Sequence, residues 1–207
     1  MEMIRRPLKS RGNPWAVSAA QWLARVPVRP NHISLLSVAF AVAAGVSLLF
    51  EFFLAAAVLI QLRLLCNLLD GMVAIEGGLK SKSGEVYNDL PDRISDAMIL
   101  ILAGYSISWP AWSRELGWSA ALLAVMTAYA RVLGGAVGLA QDFCGPMAKP
   151  HRMAILTVGA IGAAVESAIG AAPRSLAIAL GIIVIGSMAT MVRRTARIVH
   201  QLESSSS

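Results

Sequence analysis

Cysteine is scarce in this chain, with two, Cys66 and Cys144, among 207 residues. That excludes a disulfide framework, and the pair lacks the spacing of a metal site. Cys66, inside an apolar run, reads as a small buried residue. Charge is scarce too, at 14% of residues, against 57% hydrophobic. Such a balance excludes a soluble domain and points to a polytopic membrane protein of one domain. Acidic residues number 12 against 18 basic ones, a net charge of +6. This excess does not signal nucleic acid, because the basic residues cluster at the chain ends and loops, as membrane topology requires. An apolar signal-peptide core is also missing from residues 1–30, so no cleavable leader is expected. No internal repeat is visible. The terminal Leu-Glu-Ser-Ser-Ser-Ser reads as an added or frayed tail.

What the chain does have is apolar runs. Six can cross a hydrocarbon core of about 30 Å, at residues 33–50, 52–75, 86–108, 115–138, 152–171 and 174–192. The expected fold is therefore all-α: six transmembrane helices over residues 30–198, after a basic segment 1–29 and before a tail 199–207. In that first segment Arg5, Arg6, Lys9, Arg11, Arg25 and Arg29 face one acid, Glu2. Trp15, Val17, Trp22 and Leu23 share one helical face. Together these describe an interfacial amphipathic helix on an anionic leaflet. Lys80, Lys82, Lys149, Arg152, Arg193, Arg194 and Arg197 join that side if there are six spans, leaving Arg114 and Arg174 opposite. The positive-inside rule then puts both termini at the cytoplasmic face of a prokaryotic inner or plasma membrane. Trp109, Trp112 and Trp118 fit an outer aromatic belt. Gly134, Gly135, Gly138, Gly159, Gly162, Gly170, Gly181 and Gly186 read as sites of close helix packing rather than ligand contacts.

Within this apolar chain, residues 67–96 carry six carboxylates: Asp70, Glu76, Glu85, Asp89, Asp92 and Asp96. Acids at the edge of a span face a bundle interior or a polar cavity and mark function. Asn67, Asp70 and Ala74 share a face of the second span; Asn88, Asp92 and Asp96 share a face of the third. The linker holds Gly77, Gly78 and Gly84, so the two helices are expected to run antiparallel and adjacent. Oxygen ligands from Asp and Asn suit Mg²⁺, Mn²⁺ or Ca²⁺. A satisfied structural network is the plainer alternative. Converging carboxylates without matching cations would repel, which favours a bound metal. Arg63 shares the Asn67/Asp70 face and reads as a buried counter-ion.

The spacing Asn67-x2-Asp70-Gly71-x2-Ala74-Ile75-x8-Gly84-x3-Asn88-x3-Asp92 resembles that of the CDP-alcohol phosphotransferases, D-x2-D-G-x2-A-R-x8-G-x3-D-x3-D. Three positions depart: Asn67 and Asn88 stand for Asp, and Ile75 for Arg. Pro30-Asn31-His32-Ile33-Ser34 matches a second family feature, Pro-Asn-x-Ile-Thr. The resemblance covers roughly residues 27–155. It implies transfer of a phosphatidyl group from CDP-diacylglycerol to a polar alcohol, with CMP released and Mg²⁺ or Mn²⁺ as cofactor. It implies Asp92 as general base, and Asn67, Asp70, Asn88 and Asp92 as metal ligands, with Asp96 one turn on restoring lost charge. Asn31, Asp70, Gly71, Ala74 and Gly84 would receive the nucleotide. Arg131, Lys149 and Arg152 would form an anion pocket for the acceptor, which points to a phosphorylated alcohol. His151 reads as interfacial. Membrane lipids are the natural surroundings, and homodimers are common in the family. The competing expectation is a non-catalytic or transporting bundle whose metal site has decayed. A cation channel is a third and weaker reading, because no acidic line crosses the bilayer.

Overall fold

The computed structural model describes residues 30–76 and 84–205, together with Pro14, Val17, Ser18 and Trp22. Six long helices make up the described fold: α1 (Pro30–Leu49), α2 (Phe53–Glu76), α3 (Gly84–Tyr105), α4 (Ser113–Ala136), α5 (Lys149–Ala168) and α6 (Arg174–Ser205). No strand occurs among the described residues. Each expected span has its helix. Four helices are long and apolar enough to cross a membrane: α1, α2, α4 and α6. The other two have charged residues near their starts. α3 contains Asp89, Asp92, Arg93 and Asp96, and α5 opens on Lys149 and Arg152. The N-terminal amphipathic helix falls mainly outside the described residues. Its four described positions are helical, with Trp22 exposed and Val17 packed near Ile33, Cys66 and Val73.

Local chemistry explains the helix ends. α1 starts on Pro30, whose missing N–H is no loss in a first turn. α5 has a proline in its first turn, and His151 Nδ1 accepts the Ala148 N–H at 3.5 Å. His151 thus caps a helix. At the end of α4, the N–H groups of Gly138 and Leu139 bond the carbonyls of Gly135 and Gly134, with Gly138 at φ 86°. α5 ends the same way, with Gly170 at φ 73°. Glycine takes this left-handed closing position without a Cβ penalty. Glu51 takes it at the end of α1, with φ 58°.

Helix packing closes a ring. α1 packs on α2 and α3, α3 on α4, α4 on α6, α6 on α5, and α5 on α2. α3 and α6 make only slight contact across it. The expected adjacency of α2 and α3 is therefore corrected: α1 lies between them, and among the described residues no extended packing joins them. The Arg63 side chain and its carboxylate partners fill the intervening space. They are too bulky to allow close backbone approach.

Away from those charges the interior is apolar and small, with Ala41, Ala44, Ala56, Ala103, Ala120 and Ala160 fully or nearly fully buried. Glycines bring helices together there. A Cβ on Gly117 would meet the Leu100 carbonyl oxygen at 2.8 Å, and one on Gly104 would meet the Ser113 oxygen at 2.6 Å. The close-packing role expected of glycine holds at Gly134, Gly159, Gly162 and Gly186, but not at Gly138, Gly170 and Gly181, which have open space beside them. Gly104 and Gly117 carry the same role, although nothing in their sequence context singles them out. α6 continues to Ser205, past the end expected at 192 and through most of the expected tail. Its 32 residues span about 48 Å, beyond a hydrocarbon core of about 30 Å.

Candidate functional site

The up-and-down order of the helices gathers six helix ends at one end of the ring. The start of α1, the end of α2 and the start of α3 meet there with the end of α4, the start of α5 and the later part of α6. The polar side chains collect at this end.

Arg63 is its centre. It is fully buried, the largest side chain with no exposure. Its Nη1 donates to Asp96 Oδ1 at 2.6 Å, and its Nη2 donates to Asp92 Oδ1 at 3.2 Å and to the Asp92 carbonyl at 3.1 Å. One guanidinium on α2 thereby holds both acidic residues of α3. Lys149 Nζ, from α5, donates to the other Asp92 oxygen, Oδ2. Arg152 lies 3.8 Å from Asp96 Oδ2 and donates to Thr127 Oγ1 and the Met147 carbonyl at 3.2 and 3.3 Å. The counter-ion reading of Arg63 matches this geometry. The repulsion argument for a metal needs correction, because Asp92 and Asp96 do have matching cations. Asp92 is paired through both oxygens, whereas Asp96 Oδ2, Arg63 Nε and Arg152 Nε are buried without a hydrogen bond among the described residues. Pro91 adds a local feature: without an N–H, it leaves out the helical rung to the Tyr87 carbonyl, one residue before Asp92.

Asp70 is different. It is 2% exposed, and its Oδ2 accepts a hydrogen bond from Ser34 on α1 at 2.8 Å. Its Oδ1 is buried without a hydrogen bond to any described side chain, although the Gly71 N–H lies nearby. No cation among the described residues pairs with it directly. Asp92 and Lys149 are within electrostatic reach, so Asp70 faces the same interior. Asn67 stands one turn earlier. Its Oδ1 accepts from Ser37 at 2.6 Å, while its buried Nδ2 has no partner among the described residues. Leaving such groups dry and unsatisfied costs about 1–3 kcal/mol each. A buried carboxylate oxygen with no donor is what a hard cation would satisfy, so these residues fit one. Among the described residues, no three His, Cys, Asp or Glu side chains converge on a common metal position.

The remaining expected residues divide. Gly71 is buried beside Asp70. Gly84 opens α3. The side chains of Asn31, Ala74 and Asn88 lie outside the described residues, though all three positions are helical. Arg131 is near the site but not on the Asp92 carboxylate: it bonds Asp89 at 3.1 Å and stacks over Phe143 at 5.4 Å. Arg93 shares Asp89. Lys149 and Arg152 face the carboxylate cluster as a basic wall, with Arg152 2% exposed.

Several polar partners go beyond those expected from sequence. Ser34 and Ser37 follow the Pro-Asn start of α1 at helical spacing, and that spacing is the signal that could have found them. Arg194 reads from sequence as a flanking charge, yet it is 5% exposed and donates to the Cys144 and Thr127 carbonyls at 3.0 and 2.6 Å. It ties the loop before α5 to α4 and α6. In the same loop, burial works to raise the Asp142 carboxyl, but hydrogen bonds from Cys144 and the Arg197 charge outweigh it and hold it below its usual range.

The ring and its buried, charge-rich end define an integral membrane protein of the helical-bundle type, with a polar site at one end. The chain belongs to the CDP-alcohol phosphatidyltransferase family, whose model matches residues 27–192. That extends the likeness expected from sequence to α6. Inner membrane protein YnbA of Escherichia coli (strain K12) is 24% identical over 148 residues, covering 70% of this chain and 72% of YnbA. Among solved structures, Mycobacterium tuberculosis phosphatidylinositol phosphate synthase PgsA1 with CDP-DAG bound matches with TM-score 0.76 and 24% identity. That match covers 88% of this chain and 92% of PgsA1. The PgsA1 complex with manganese and citrate matches at TM-score 0.76 and 23% identity, covering 88% of each chain. Likeness at this identity establishes the common fold.

Proposed function

We propose that this protein makes phospholipid by transferring the phosphatidyl group of CDP-diacylglycerol to a polar alcohol, with release of CMP. The carrying observation is the buried Asp70 Oδ1 without a side-chain partner among the described residues, within electrostatic reach of Asp92, both at positions that match the family motif. CDP-DAG in PgsA1 supports the donor, and manganese in the same protein supports Mn²⁺ or Mg²⁺. When bound, the ion would neutralise pyrophosphate oxygens and ease departure of CMP. Asp70 would be its main ligand here, with amide oxygens from Asn67 and Asn88, since both Asp92 oxygens face side-chain cations.

The chain's own groups account for the rest. Asp92, ion-paired to Arg63 and Lys149, takes the proton of the acceptor hydroxyl. The hydroxyl oxygen bonds to the phosphorus bearing the lipid, and the bond from that phosphorus to CMP breaks. Gly71 and Gly84 leave room for the nucleotide beside the helix backbones. Asp96 holds Arg63 in place rather than acting as a primary ligand. Lys149 and Arg152, with Arg131 at the rim, favour an acceptor that carries phosphate. The site opens to the cytoplasm, where the acceptor and CMP reside.

The test is CMP release by the purified protein from CDP-diacylglycerol, with and without Mg²⁺ or Mn²⁺, across glycerol phosphate, inositol phosphate, serine and neutral alcohols. Metal-dependent CMP release stimulated most by a phosphorylated acceptor is expected. CMP release that no acceptor stimulates would overturn the proposal. It would favour a non-catalytic lipid-binding or transport bundle, the reading that Asn67 and Asn88 motivate.

A further inference from the structure

Asp92 sits where a motif carboxylate would meet a metal, yet both its oxygens already face side-chain cations. Arg63 takes Oδ1 and Lys149 takes Oδ2. Two motif positions that are acidic in the family pattern are neutral here, Asn67 and Asn88. Of the two motif carboxylates that remain, only Asp70 has a buried oxygen without a partner among the described residues. Arg63 is fixed, being fully buried and shared with Asp96. Lys149 is not fixed in that way. Among the described residues it makes a single ion pair, on Asp92, and its side chain keeps 19% exposure.

We propose that this chain holds one divalent ion, on Asp70, and that the Lys149 ammonium on Asp92 supplies the positive charge that a second ion would bring. The charge balance supports this. Two ions beside Arg63 and Lys149, against two motif carboxylates, would leave the buried site strongly cationic before any substrate arrived. One ion on Asp70 with Lys149 on Asp92 leaves enough charge for a pyrophosphate and no more. Lys149 also has the necessary reach, since an ammonium on a flexible stem can follow a phosphate oxygen while its partner carboxylate accepts a proton. The inference deepens the proposed function at the same site and rests on it for the identity of the substrate, but not for the ion count.

The experiment is Mn²⁺ titration of the detergent-solubilised protein, read by calorimetry and electron paramagnetic resonance. A single Mn²⁺ per chain with the spectrum of an isolated ion is expected. Lys149→Met should admit a second, weaker Mn²⁺ at the freed Asp92, and Lys149→Gln serves as the second variant if the first elutes aggregated. An Asn67→Asp/Asn88→Asp/Lys149→Gln variant should bind two ions with a spin-coupled spectrum. Two coupled ions in the unmodified chain overturn the proposal. So does an unmodified chain that binds none, or a folded Lys149 variant whose ion count and affinity are unchanged. A protein that binds one ion yet releases no CMP with any acceptor would sink the transferase reading and leave this one standing.

Discussion

The two ends of the bundle are built by opposite means. At the end holding the α1–α2 turn, helices meet through alanine and glycine, as where Gly104 and Gly117 bring α3 and α4 into backbone contact. At the other end, α2 and α3 make no extended contact among the described residues, and Arg63 bridges the gap instead. Small residues make a close interface that tolerates no added volume. Long cations make an open one whose members depend on each other's charge. The first kind of interface holds the fold. The second concentrates buried charge at one end of the bundle.

Three substitutions test that contrast. Arg63→Met has the largest expected effect on stability. It leaves Asp92 and Asp96 without their shared cation and should cost about 3–5 kcal/mol. Thermal unfolding in detergent would read this, and Asp96→Asn added to Arg63→Met should recover part of it. If Arg63→Met alone were neutral, the polar end would not depend on its bridge. Gly104→Leu comes next. The new side chain meets the Ser113 carbonyl and Gly117, forcing α3 from α4, at about 1–3 kcal/mol. An unchanged melting temperature would show that the apolar end can relax. Asp142→Asn is the smallest, at about 0.5 kcal/mol, because the Asp142–Arg197 pair is partly exposed. Folding lowers the Asp142 pKa, so its contribution is full above the unfolded value of about 3.9 and fades as pH falls through the folded value. Melting curves of the variant and the parent should therefore differ at neutral pH and merge in strong acid.

Much of the fold was legible in the chain. Each expected span has a helix, because runs of apolar residues near 20 long answer to a bilayer whatever their neighbours are. The site was legible in part. Asp70 and Asp92 do share an interior, and Arg63 is the counter-ion its position on the Asp70 face implied. The separation of α2 from α3 was not legible. Periodicity shows which residues share a face, but a short linker does not say whether another helix fills the groove between its two ends. The role of Arg194 was hidden for a similar reason. A basic residue after the last apolar run looks the same whether it faces water or two buried carbonyls.

Sequence by itself determined the all-helical class, the six helical segments, the family and the acidic stretch at its centre, because composition, periodicity and motif spacing are local properties of the chain. Tertiary structure decided which cation meets which carboxylate. Only the closed ring brings α5 against α2 and sets Lys149 and Arg63 on the two oxygens of Asp92, while Asp70 keeps one oxygen without a partner among the described residues. Pairing across helices depends on distance in space, and separation along the chain carries no record of it.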